Sequence, residues 1–148
     1  MWDIEVQYAV EAAGLPDAQD IHRWLGAVLQ GRREQAEVVV RITDREEITR
    51  LNREYRQRDK PTNVLSFPSQ LPAELGLALL GDIVICAEVV AEEARAQGKS
   101  AQAHWAHMVV HGALHLLGYD HMEAQEAQQM EGLEREILAT LGFPDPYE

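Results

Sequence analysis

Four short segments with strand character lie among helical stretches, and strand and helix stop alternating regularly in the C-terminal half of a 148-residue chain. These observations predict an α+β fold: a small mixed four-stranded sheet packed with helices, in a single domain over residues 1–148. At 16.7 kDa the chain is long enough to bury one real core without disulfides as staples. No internal repeat, low-complexity tract or heptad series interrupts it.

Trp2, Ile4, Val6, Tyr8 and Val10 alternate with mostly polar neighbours, the period of a half-buried strand, until Leu15-Pro16-Asp17 breaks the pattern. Asp17 is a cap candidate for a helix in which Ile21, Trp24, Leu25, Val28 and Leu29 recur at helical spacing up to Gly31. Residues 37–43 are rich in β-branched side chains and predict a second strand. Asp44, with Glu47 three residues on, resembles a capping box opening a helix that carries Ile48, Leu51 and Tyr55 on its apolar face and delivers Arg56 at its end. Lys60-Pro61-Thr62-Asn63 has turn chemistry. Val64-Leu65-Ser66-Phe67 is a short strand that Pro68 stops, and residues 69–79 are expected to form a loop. A fourth strand over 80–86 leads into a helix from about Glu88 to Gly98. Ser100 caps the next helix, and a last one runs from about Ala124 to Leu141. In that last helix Met130, Leu133, Ile137 and Leu141 form one apolar stripe opposite an acidic face, which suits a cover for the core.

Composition narrows the functional classes. A hydrophobic content of 46% and a charged content of 26% are ordinary for a folded domain. Cys86 has no internal disulfide partner and sits in the apolar run Ile83-Val84-Ile85, where a small buried hydrophobe is expected. The residues from Met1 to Glu5 carry neither a basic region nor an apolar stretch, and no apolar run approaches a membrane span, so a cytoplasmic protein with no membrane partner is expected. A net charge of −12 opposes indiscriminate binding to polyanions. The charge is unevenly spread. Arg50, Arg53, Arg56, Arg58 and Lys60 cluster against only Glu54 and Asp59, whereas the chain after residue 122 is strongly acidic. Such a run is commonly a solvated helix face, but this one could also hold a phosphate.

The chemistry concentrates in His111-Gly-Ala-Leu-His115-Leu-Leu-Gly118-Tyr-Asp-His121. Two histidines four apart on a helix project from one face, so both imidazoles can reach one cation. Gly118 follows the apolar Leu116-Leu117 pair where a helix C-cap is expected, and its freedom to turn left-handed lets the chain bring in His121. Three neutral imidazoles leave one tetrahedral position of a zinc ion open, as in catalytic rather than structural sites, although nickel, copper or iron also suit such ligands. His104 and His107 lie on nearly the same stripe, one and two turns earlier. The nearer is expected to support or pack against the site, and His22, without partner spacing, to be solvated. Asp120 and Asp82 are secondary candidates for orienting a ligand imidazole or moving a proton.

The spacing matches the metzincin protease pattern H-E-x-x-H-x-x-G-x-x-H except that position 112 is glycine. The missing Glu is the group that takes a proton from the attacking water in those proteases, so amide hydrolysis is disfavoured. A substrate with a better leaving group or an internal nucleophile, such as the 2′-hydroxyl of RNA, suits the site better. Beyond this spacing, the chain resembles the YbeY family of bacterial metallo-endoribonucleases. The resemblance rests on the histidine motif, on Asn52 to Arg56 and Asp59 to Pro68, on Leu80 to Ile85, and on the ending Leu141-Gly142-Phe143 through Asp145-Pro146-Tyr147. It runs from about residue 50 to the C-terminus without a departure inside the motifs, while the first 40 residues match only in layout.

The resemblance implies a zincin-like sheet and one Zn2+ held by His111, His115 and His121. It also implies single-strand-specific cleavage of RNA in maturing the 3′ end of 16S rRNA and in late ribosome quality control. Arg56 would then be the catalytic arginine facing the metal cleft, placed to stabilise the charge on a pentacovalent phosphorane. Single-stranded rRNA, the small ribosomal subunit and ribosomal proteins are the partners implied, and DNA is not expected. Two other classes fit the same residues: a ribosome assembly factor with a structural metal, docking basic proteins on its acidic last helix, and a metallohydrolase of small phosphoesters.

Overall fold

The computed structural model describes residues 2–69, 79–120 and 122–148, so the expected loop over 69–79 falls, apart from its two end residues, outside the described residues. In chain order the elements are β1 (Trp2–Tyr8), α1 (Ala18–Leu29), β2 (Ala36–Thr43), α2 (Arg45–Arg56), β3 (Val64–Pro68), β4 (Leu79–Cys86), α3 (Ala87–Ala96), α4 (Ala101–Leu116) and α5 (Ala124–Thr140). The sheet order is β1-β2-β4-β3. β1 and β4 both run parallel to β2, while β3 pairs antiparallel to β4, leaving β3 at an edge. This is the α+β class with a mixed four-stranded sheet that the sequence predicts.

Strand alternation divides the interior in two. Val38, Val40 and Ile42 of β2 and Ile83 and Ile85 of β4 join Trp24 and Leu25 of α1 and Val109 and Leu114 of α4 in the main core. The intervening Val84 and Cys86 point the other way and meet Leu65 and Ile48, forming a smaller core beneath α2. Each face of the sheet is therefore covered by helix, and Cys86 is a buried free thiol as expected.

Local rules set the helix starts. Asp17 accepts a hydrogen bond from the Asp20 amide at 2.8 Å and Ser100 one from the Ala103 amide at 3.1 Å. Asp44 caps α2 by accepting from the Glu47 amide at 2.9 Å, half of the capping box that the sequence suggests. The Glu47 carboxylate is instead gripped by Arg41 of β2, with hydrogen bonds of 2.6 and 2.8 Å that hold its pKa down at about 2. A bidentate guanidinium is the stronger partner.

α4 lies in the middle of the fold, between the sheet and the other helices, and is buried on most of its surface. Gly112 allows it to approach the edge of the sheet. A Cβ there would stand 2.9 Å from Ile83 Cγ2 and 3.3 Å from both Ser66 Oγ and Val64 Cγ2. The Ser66 hydroxyl uses this proximity to donate to the Gly112 carbonyl at 2.9 Å. Gly81 serves the same packing from β4: it has φ +147° where the β2–β4 register slips between Glu37 and Val38, and a Cβ would lie 2.4 Å from the Phe67 carbonyl oxygen and 2.9 Å from Leu116 Cδ2.

Gly81→Ala should therefore destabilise the protein by about 2–4 kcal/mol, combining backbone strain with overpacking. Gly132→Ala, within α5 and with nothing within 4 Å of the new methyl, should stabilise it by about 0.5–1 kcal/mol. Urea denaturation of the two variants beside the parent checks both signs.

Candidate metal centre

His107, His111 and His115 of α4 stack along one side of the helix at the i, i+4 spacing. Ring centroids are 6.2 Å apart between His107 and His111 and 4.7 Å between His111 and His115, each pair close to perpendicular. The helix ends one residue beyond His115. Gly118, with φ +101°, donates to the His115 carbonyl at 3.0 Å and Tyr119 to the Leu114 carbonyl at 3.1 Å, the paired bonds of a Schellman cap. This is the glycine turn that the sequence predicts. His121, the third expected ligand, lies outside the described residues.

The main surprise is Glu134. It belongs to the stripe of α5 that packs on α4, between Met130 and Ile137, and its side chain is fully buried. His111 Nδ1 is 2.6 Å from Glu134 Oε1, and the hydroxyl of Tyr147 donates to Oε2. His107 Nε2 is 3.6 Å from Oε2, close enough for charge to matter but too long for a hydrogen bond. Burial alone would push the Glu134 carboxyl up, yet His107, His111 and Tyr147 outweigh it and hold the pKa down at about 2. Burial and the neighbouring carboxylate both drive the Tyr147 phenol upward, so it remains a donor. Arg135 lies over the Tyr147 ring, 5.2 Å from its centroid, and pairs with Asp145 at 3.0 Å, fastening the C-terminal segment that carries the tyrosine.

In the sequence, Glu134 counts only as one carboxylate of the acidic stretch after residue 122, yet it is four positions after Met130 and three before Ile137, so helical spacing places it beside the apolar stripe. His107 stands beside Glu134 next to His111, whereas His104 turns to α3, where its Nε2 is 2.8 Å from Glu93 Oε1. Burial lowers the His104 pKa even though Glu93 opposes it. Asp120 is exposed just beyond the cap, and His22 is exposed on α1. Asp82 does not approach α4: it pairs with Phe67, one residue from Ile83, and faces the α2 side of the sheet.

His107, His111 and Glu134 each offer one ligand atom, and these atoms lie within 4.8 Å of one another, a group that could hold a metal ion. The donor chemistry distinguishes two uses. Both oxygens of Glu134 already accept protein hydrogen bonds, and a carboxylate on Nδ1 of a histidine fixes the tautomer whose Nε2 lone pair is suited to a cation. A carboxylate–imidazole pair of this kind fits a His-ligated metal, with Glu134 supporting the ligand.

Arg56 ends α2, where Gln57 takes a left-handed conformation with φ +56°. Its Nη2 donates to the Ser66 carbonyl at 2.9 Å, and the Ser66 hydroxyl in turn donates to Gly112, the neighbour of His111. Two hydrogen bonds thus join the end of α2, the edge strand and the metal helix. Arg45, Glu46, Thr49, Arg50 and Arg53 of α2, with Pro61 beyond it, line an open cleft of about 380 Å³.

Comparison with known proteins finds similarity both in sequence and in fold. The family model for endoribonuclease YbeY matches residues 7–142. The solution structure of TM1509 from Thermotoga maritima has the same fold, with 25% sequence identity and a TM-score of 0.61, covering 100% of this chain and 99% of that one. No helix among the described residues is long and apolar enough to cross a membrane.

Removing the buried carboxylate strands its donors. Glu134→Ala should cost about 3–5 kcal/mol of stability, and Tyr147→Phe, which removes one hydrogen bond to the charged carboxylate, about 1.5–3 kcal/mol. Thermal and urea unfolding of the metal-free proteins measure this difference.

Proposed function

The chain belongs to the YbeY endoribonuclease family, and from that premise we propose that it is a zinc-dependent endoribonuclease specific for single-stranded RNA. Its role would be in maturing the 3′ end of 16S rRNA and in late ribosome quality control, acting on the small subunit in the cytoplasm. His111, His115 and His121 would hold the ion and Arg56 would be the catalytic cation. The observation that carries this reading is the clasp of buried Glu134 on His111 Nδ1, because a fixed imidazole backed by a carboxylate is the usual support of a metal ligand.

A bound zinc ion would supply Lewis-acid chemistry, polarising a phosphoryl oxygen and making water an effective nucleophile near neutral pH. The protein's part is to position and to neutralise. Glu134 holds the His111 ring in one tautomer, and the Schellman cap holds the last turn that carries His115. Arg56 uses one N–H on Ser66 among the described contacts. A guanidinium has five N–H donors in a fixed fork, so the same residue can be anchored and still face a phosphate whose negative charge grows in the transition state. Gly112 contributes by exclusion: the space in which a protease carries its general base is filled by Ile83, Ser66 and Val64.

Two experiments test the assignment. In competition with a chromogenic chelator, His115→Ala should lose zinc binding, whereas Glu134→Gln should keep it with affinity lowered about 10- to 100-fold. Loss of zinc in Glu134→Gln and His107→Ala, with His115→Ala unaffected, would move the ion to the other donor set. On an end-labelled single-stranded RNA, Arg56→Ala should retain fold and zinc while cleavage falls on the order of 10²–10³-fold, with an equal-sequence duplex left uncut by the parent protein. Unchanged kinetics would remove Arg56 from the mechanism. Cleavage of a small phosphodiester as fast as RNA would favour a phosphoesterase, and ribosome effects that survive Arg56→Ala an assembly factor.

A further inference from the structure

On the α2 face of the sheet, Leu51, Tyr55, Phe67, Leu79, Asp82 and Val84 line an open cavity of about 580 Å³. Tyr55 is 60% exposed and Leu79 41%, two of the few large apolar side chains presented to solvent among the described residues. The Tyr55 and Phe67 rings meet edge to face with centroids 5.3 Å apart, so one ring can offer its face while the other forms a wall.

The place of this cavity in the chain gives it meaning. Tyr55 precedes Arg56 on α2 and Phe67 follows Ser66 on β3, and the two inner residues are joined by the 2.9 Å hydrogen bond from Arg56 to the Ser66 carbonyl. Each ring is therefore one residue from a partner in that hydrogen bond, Tyr55 from Arg56 and Phe67 from Ser66. Ser66 reaches through to Gly112 beside His111, so cavity and metal helix lie on opposite faces of the same edge strand.

We propose that this cavity is a nucleobase subsite, in which a base of single-stranded RNA next to the cleaved phosphate leaves the strand and stacks on Tyr55 against Phe67. The inference rests on the RNA-cleaving function proposed above. The cavity's chemistry favours a base over a phosphate: its walls are apolar and aromatic, and the one charged group among its described lining residues is the carboxylate of Asp82, which repels phosphate but can accept from an exocyclic amine. Phosphates on either side meet Arg56 and the basic run Arg50, Arg53, Arg58 and Lys60 along and beyond α2. A base held in a duplex cannot enter, so the subsite also selects for single strands.

The test is fluorescence anisotropy with two labelled probes of equal length, a single-stranded RNA and an abasic ribose-phosphate strand of the same charge, with probe integrity checked on a gel afterwards. Tyr55→Leu keeps an apolar contact at an exposed position, and Tyr55→Phe keeps the ring. The parent should bind the RNA more tightly than the abasic strand. Tyr55→Leu should weaken RNA binding roughly 5- to 100-fold and leave the abasic strand unchanged, while Tyr55→Phe stays close to the parent on both. Equal binding of the two probes by the parent, an unaltered RNA affinity in Tyr55→Leu, or an equal loss on both probes would each overturn the subsite. Cleavage separates this from the broader reading: a protein that binds RNA through Tyr55 without cutting it keeps the subsite and loses the nuclease. One that cuts with dependence on His115 and Arg56 but not on Tyr55 does the reverse.

Discussion

The close approach of α4 to the edge of the sheet at Gly112 is the constraint on which the site depends. Ile83, Ser66 and Val64 fill the space that a side chain would need, and the Ser66 hydroxyl bonds the helix backbone across the gap. Had the helix stood off by the width of a larger residue, Arg56, anchored on Ser66, would not be tied to the helix that carries His111 and His115. The same glycine stands where the protease pattern has its glutamate, and the packing around it leaves no room for that side chain.

A second cost of that arrangement is a buried charge. An unpaired carboxylate in the interior is expensive, and in water's absence it would take up a proton. Glu134 stays ionised because the His111 ring, the Tyr147 hydroxyl and the nearby His107 surround it. The C-terminal segment is thereby tied to the site: Asp145 holds Arg135, Arg135 covers Tyr147, and Tyr147 holds Glu134. The acidic last helix is thus more than a cover for the core. One of its carboxylates reaches into the centre and fixes the orientation of an imidazole.

How much of this was legible in the sequence depends on the range of the interaction. Caps at Asp17, Asp44 and Ser100, the turn at Gly118 and the strand periods of β2 and β4 are local, and the sequence places them correctly. Glu47 shows the limit of local rules. Its spacing from Asp44 suggests a reciprocal cap, but Arg41, on the neighbouring strand, competes for the carboxylate and wins it. Glu134 and Asp82 fail for a related reason. Composition marks Glu134 as part of an acidic face, and only its phase between Met130 and Ile137 places it inward. Asp82 is a candidate by its residue type, but the alternation of β4 turns it to the opposite face of the sheet from Ile83.

The charge distribution bears on how so acidic a protein could handle a polyanion. A net charge of −12 produces a repulsive field at long range, but ions at physiological strength screen it over about 8 Å. Within that distance the local pattern governs, and the basic residues are concentrated on α2 and the turn after it, away from the carboxylates of α5. Such segregation weakens non-specific attraction while keeping attraction at the site itself. On the function proposed here, discrimination has to come from contacts that act only at short range: the histidines of α4, the fork of Arg56 and the aromatic cavity beside it. An enzyme built this way should depend less on salt than a basic RNA-binding protein of the same size, because fewer released counterions drive its binding.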